Sequence, residues 1–133
     1  MHPEARRPVL ATPGSAGYDL YTVEQGVVAP LSVRSFETGI RIRQLPKDAF
    51  VLLASRSGLV LRQTCFCVGC VIDQDFEATI KCLLYNGSPS VPVEIAKGTR
   101  VCQALVLPRL RLTKEETPLK KTRGKRGFGS SGL

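Results

Sequence analysis

The chain has 133 residues, 43% hydrophobic and 23% charged, a balance that excludes a wholly disordered polypeptide and leaves room for one domain. No run approaches the ~18 apolar residues of a membrane helix, and the N-terminal stretch lacks the apolar segment of an export signal. Of a net charge of +8, residues 109–133 carry +6, so a basic tail follows a nearly neutral body and calls for an anionic partner: nucleotide phosphate, polyphosphate or nucleic acid.

Residues 1–14 are polar, hold Pro3, Pro8 and Pro13, and read as an extended arm. Short apolar runs follow at Val27–Leu31 and Val33–Phe36, then Gly39–Arg43 alternates Ile with Arg, the period of a half-buried strand. Pro46, Lys47 and Asp48 make a turn before Phe50–Leu53. Further strands are predicted at Leu59–Leu61, Phe66–Ile72, Ala78–Tyr85, Val91–Ile95 and Val101–Leu107, with Leu110 and Leu112 in a last strand leaving the body. Only Leu45–Leu53 could be forced into a helix, and Pro46 weakens that reading. Many short strands mean an all-β sandwich or barrel, and neither a G-x-G-x-x-G nor a Walker loop is present.

The cysteines are Cys65, Cys67, Cys70, Cys82 and Cys102; an odd number without an export signal argues for reduced thiols. Cys65, Cys67 and Cys70 do not form the paired Cys-x2-Cys pattern of a zinc ribbon, and His2 is the single imidazole, so buried thiols in strands are expected rather than a metal or redox centre. Residues 120–133 contain four glycines, five basic side chains and one aromatic, Phe128. Composition makes this a flexible basic tail, with Phe128 placed to stack on a base if the tail closes over one.

Five short motifs occur in order. They are Ala16-Gly17-Tyr18-Asp19-Leu20; Arg56-Ser57-Gly58-Leu59; the stretch from Gly69 through Val71-Ile72-Asp73-Gln74-Asp75-Phe76 to about Asn86; Lys97-Gly98-Thr99-Arg100-Val101-Cys102-Gln103; and Arg123-Gly124-Lys125-Arg126-Gly127-Phe128-Gly129-Ser130-Ser131-Gly132. Together they resemble the homotrimeric dUTP pyrophosphatase (dUTPase) family over residues 14–132. The resemblance implies a jelly-roll-like all-β barrel subunit, in one domain over residues 1–133. It further implies a homotrimer with active sites at subunit interfaces, and a C-terminal tail over residues 120–133 that is mobile when the site is empty and closes over bound nucleotide. The implied reaction is hydrolysis of dUTP to dUMP and pyrophosphate with Mg2+.

The same resemblance implies roles for particular residues. Asp73 matches the carboxylate that orients and deprotonates the water attacking the α-phosphorus, work for which a positioned carboxylate is suited. Arg56, Ser57, Gly58 and Gln103 match phosphate-binding positions, Arg offering a charged fork and the others neutral hydrogen bonds. Backbone groups of a hairpin around Cys67–Asp73, including Cys70, Val71 and Ile72, match the uracil reader, and Phe76 matches the ring against the deoxyribose. In the tail, Arg123 matches a γ-phosphate contact, Phe128 the ring on uracil, and Gly129, Ser130 and Ser131 a set of donors to the terminal phosphate. Asp19 matches a residue near the metal's water shell; no direct protein ligands to the metal are expected, since Mg2+ keeps waters and rides on phosphates.

Several positions depart from the family pattern: Ser55, Cys70, Glu77, Ala78, Thr99, Lys125 and Arg126. Cys70 stands where glycine is usual and is expected to crowd the hairpin or demand an altered backbone. The alternative reading is a dUTPase-fold interaction or regulatory protein with weak or lost catalysis; the dCTP deaminase class and a nucleic-acid module are further options. The cytoplasm and the nucleus are both open as its compartment.

Overall fold

The computed structural model describes residues 2–110. Among them ten strands and one short helix follow in the order β1 (Val9–Leu10), β2 (Tyr18–Tyr21), β3 (Gly26–Val28), β4 (Val33–Glu37), β5 (Ala49–Ala54), α1 (Ser57–Gln63), β6 (Cys65–Val68), β7 (Val71–Ile72), β8 (Lys81–Asn86), β9 (Val93–Ile95) and β10 (Arg100–Pro108). The all-β expectation holds. A five-stranded sheet runs β1-β2-β10-β5-β7, a three-stranded sheet runs β4-β8-β6, and β3 pairs with β9. None of the helices described is long and apolar enough to cross a membrane.

The strands follow from alternation. In β5, Ala49, Val51 and Leu53 are buried while Phe50, Leu52 and Ala54 are half-exposed; in β8, Cys82, Leu84 and Asn86 turn inward. Leu20, Val28, Phe36, Ile80, Leu84 and Val101 then fill the space between the sheets, each almost fully buried. Burial of such a side chain contributes about 1.5–3 kcal/mol. The polar Asn86 is tolerated inside because Nδ2 donates to the Val28 and Val91 carbonyls and Oδ1 accepts from the Ser88 N–H.

Three expectations need correction. Leu59–Leu61 is not a strand but the middle of α1, which buries none of its residues; seven residues are too few for a 3.6 period to show in the sequence. Its end is set by Thr64 in the left-handed region at φ 51°, with the Thr64 N–H donating to the Val60 carbonyl. Gly39–Arg43 keeps its alternation of burial but joins no ladder among the described residues. Strand β10 ends at Pro108, and Leu110 lies beyond it, 88% exposed; Leu112 lies outside the described residues.

The N-terminal arm runs against the body. The His2 N–H donates to the Gly39 carbonyl, Arg6 lies over the Tyr21 ring, Glu4 pairs with Lys97, and Val9–Leu10 adds to β2. Gly39 has to be glycine here: its φ is +68°, and a Cβ would sit 2.6 Å from His2 Cβ.

Candidate functional site

The motifs at Asp19, Arg56 and Gln103 meet on one face of the five-stranded sheet. Antiparallel pairing sets Gln103 opposite Asp19 on β2 and opposite Ala54 on β5. Side chains alternate along a strand, so with Leu20 in the core Asp19 points to the outer face. It is nevertheless only 4% exposed. The cover is arginine: Arg56 Nη1 lies 2.9 Å from Asp19 Oδ1, and Arg100 Nη1 lies 3.3 Å from Asp19 Oδ2.

Arg56 is the residue before α1, in extended backbone, and Ser57 and Gly58 open the helix. Its buried Nη1 is close to Asp19 but not aligned for a hydrogen bond, and has no other hydrogen-bond partner among the described residues. Arg56, Gly58, Leu59, Arg62, Gln63, Thr99 and Arg100 line an open cleft of about 260 Å³ beside it. A larger hollow of about 440 Å³ lies behind α1 and β9, but of the motif positions it holds none. The smaller cleft is therefore the better candidate for phosphate, on charge and donors rather than on size.

The third motif lies elsewhere on the same sheet. The expected hairpin is instead a corner: β6 pairs with β8 in the three-stranded sheet, while β7 pairs with β5 in the five-stranded sheet. Gly69, at φ +65°, makes the turn between them. Cys70 is not among the residues with positive φ, so the left-handed conformation falls on the glycine and the side chain at 70 brings no backbone strain of that kind. The Cys70 carbonyl accepts from the Leu53 N–H at 2.8 Å, and its sulfur turns toward Cys67. Beyond β7 the chain turns again, with the Phe76 N–H donating to the Asp73 carbonyl. Val71, Asp73 and Phe76 are all exposed, Phe76 by 40%, so this ring is no core aromatic.

Register fixes how far apart the two groups are. Val51 faces Ile72 and Ala54 faces Gln103, with β5 between β7 and β10. Asp73 is therefore displaced by four residues along the strands and two strands across from Gln103, on the order of 15 Å between backbones. One chain does not bring Asp73 against Arg56 and Gln103. Arg123, Phe128, Gly129, Ser130 and Ser131 lie outside the described residues.

Arg100 is a further residue at this cleft that sequence reasoning passed over. It stands within the fourth motif, and the β2–β10 pairing, Gln103 opposite Asp19, is the signal that could have placed a nearby arginine against that carboxylate. The buried-thiol expectation holds for Cys65, Cys82 and Cys102, each on a strand.

A fit for Mg2+ rests on the donor set. The described residues bring no three carboxylates together, and both Asp19 oxygens already face arginines. Such a set fits an ion carried by phosphates and water, with Asp19 able to meet its water shell only through its remaining lone pairs.

The family model dUTPase matches residues 4–132. The chain is 37% identical over 131 residues to the deoxyuridine 5′-triphosphate nucleotidohydrolase of Clostridium novyi, covering 95% of this chain and 90% of that one. It is 35% identical to that of Paramecium bursaria Chlorella virus 1, covering 97% and 92%. The fold is shared with a Staphylococcus bacteriophage 80alpha dUTPase solved with dUpNHpp, at a TM-score of 0.80 and 22% identity over 98% of this chain and 94% of that one.

Proposed function

The chain belongs to the dUTPase family, and from that premise we propose how its own residues hydrolyse dUTP to dUMP and pyrophosphate. The observation that carries the reading is the family match over residues 4–132, which takes in every motif named above. Asp73 accepts a proton from a water as the water oxygen bonds to the α-phosphorus; the bond from that phosphorus to the α,β-bridging oxygen breaks, and pyrophosphate leaves. The exposure of Asp73 at the end of β7 supports this, since the carboxylate is open to water and substrate.

Arg56, Ser57, Gly58 and Gln103 take the phosphates. The place of Arg56 and Gly58 on the open cleft, with Arg62 and Arg100 adding positive charge there, supports that assignment, and Asp19 holds the Arg56 guanidinium in place. The backbone of Cys70, Val71 and Ile72 reads uracil, and the exposed Phe76 ring packs on deoxyribose, where it leaves no room for a 2′-hydroxyl. Arg123, Phe128, Gly129, Ser130 and Ser131 close over the nucleotide. Mg2+, carried on the triphosphate, supplies neutralisation of phosphate charge.

Two copies must contribute to each site, and a homotrimer provides them. The separation of Asp73 from Arg56 and Gln103 within one chain supports this, as does the apolar outer face of the five-stranded sheet around Leu52, Val71 and Leu105. The substrate places the enzyme inside cells, in cytoplasm or nucleus.

The test is pyrophosphate release from dUTP, dCTP, dTTP, dATP, dGTP and UTP, with and without Mg2+. Release from dUTP alone, and dependent on Mg2+, is expected. A folded protein that releases pyrophosphate from none of them would leave the non-enzymatic reading in its place.

A further inference from the structure

Four of the five cysteines converge beneath the candidate site, from places far apart in the chain. Cys67 lies on β6, Cys82 on β8, Cys102 on β10 and Cys70 at the corner between β6 and β7. The Sγ atoms of Cys67, Cys82 and Cys102 all lie within 4.8 Å of one another. Cys67 Sγ is 3.6 Å from Cys82 Sγ and 3.4 Å from Cys70 Sγ. A tetrahedral thiolate shell with metal–sulfur bonds of about 2.3 Å sets neighbouring sulfurs about 3.8 Å apart. The observed contacts lie near that edge length and well beyond the ~2.0 Å of a disulfide.

Sheet register produces the cluster. Cys67 faces Leu84, so Cys82, two residues away on β8, is its diagonal neighbour on the same inward face. Cys102 faces Leu20 and projects inward from the opposite sheet. Cys65, also buried, lies outside the group and shows what a thiol used only for packing looks like here.

We propose that Cys67, Cys82 and Cys102, with Cys70 as the fourth ligand at the rim, bind one zinc-class thiophilic cation that ties the two sheets together. Soft thiolate donors select such an ion over Mg2+ or Ca2+, and among the described residues no carboxylate joins the group. Metal binding displaces thiol protons, moves no electrons, and strengthens as pH rises. Cys70 lies outside the close triad and reaches the ion by turning its side chain, so it closes the shell last.

This site does not depend on the dUTP reading, and its test does not use activity. Reduced full-length protein, stripped with chelator, is titrated with Cd2+ while thiolate-to-metal charge-transfer absorption is followed; Zn2+ is then added as competitor. The expected result is saturation at one ion per chain and displacement by Zn2+. Cys82→Ala and Cys102→Ala should lose more than the 10–100-fold that outer partners cost. Cys67→Ser, at a half-buried position, gives the same readout if the core variants fail to fold. Cys70→Ser should weaken binding roughly tenfold, within that same range, and Cys65→Ala should leave it unchanged. Absence of a stoichiometric endpoint in the parent protein overturns the proposal. So does an equal loss in Cys65→Ala.

Discussion

Asp19 Oδ1 lies 2.9 Å from Arg56 Nη1, and the same buried carboxylate meets Arg100 through its other oxygen. One negative charge thus holds two arginines that belong to different motifs and enter from different elements. Its burial makes the pairing sensitive, because removing one partner leaves charge without compensation.

Asp19→Ala should lower stability by about 3 kcal/mol, the low end for a buried pair because Arg100 keeps contact with water. Asp19→Asn keeps the shape and should cost less, while raising KM for dUTP more than it lowers kcat. Urea unfolding and steady-state kinetics on both variants provide the check. An unchanged urea midpoint in Asp19→Ala would show that the two arginines do not depend on this carboxylate.

Asp73→Asn should reduce turnover by roughly 10²–10⁴-fold while dUTP binding stays near the parent value. The amide preserves size and hydrogen bonding but accepts no proton from water. Because Asp73 is exposed, thermal stability should hardly move. Single-turnover hydrolysis alongside calorimetric binding separates the two effects, and a rate above half that of the parent would remove Asp73 from the chemistry.

Truncation after Pro118 should leave a folded homotrimer and sharply reduce turnover. It removes the Arg123 contact to phosphate and the Phe128 ring, a stacking face worth about 1–3 kcal/mol, but no strand of the described fold. Sedimentation equilibrium and pyrophosphate release on the same sample give both answers. A monomeric mass with full activity would contradict the shared site, and a truncated trimer working at the parent rate would take the tail out of it.

The thiol cluster should shape stability against pH in metal-free protein. Hydrogen bonds from Cys67 and Cys82 hold Cys102 below the ordinary thiol range near 9, so its thiolate contributes stability that is complete above that range and is lost as pH falls below it. Cys67 is raised to about 11, so its contribution is complete below about 9 and is lost as pH climbs through about 11. The stability difference between parent and Cys102→Ala should therefore widen as pH rises toward 9 and shrink above it. Urea titrations at a series of pH values read this directly, and a flat difference would rule the coupling out.

The sequence alone determined whatever depends on neighbours along the chain. The apolar run Phe50–Leu53 after the turn at residues 46–48 marks β5, and turn residues mark most strand ends, because such signals need only a few residues to declare themselves; which face of β5 turns inward appears only in the fold. The five motifs are local strings, so the family and its chemistry were legible too. Tertiary structure decided what depends on which strands pair. The helix at Ser57–Gln63 is too short to carry a period, and its apolar Leu59–Leu61 passes for a strand. Gly69 marks a turn in the sequence, but only the pairing of β6 with β8 and of β7 with β5 makes that turn a corner between sheets. Asp19 and Arg100 are 81 residues apart, and Cys67 and Cys102 are brought to one cluster from opposite sheets. No local pattern encodes such meetings; they follow from register, which is fixed only when the whole core closes.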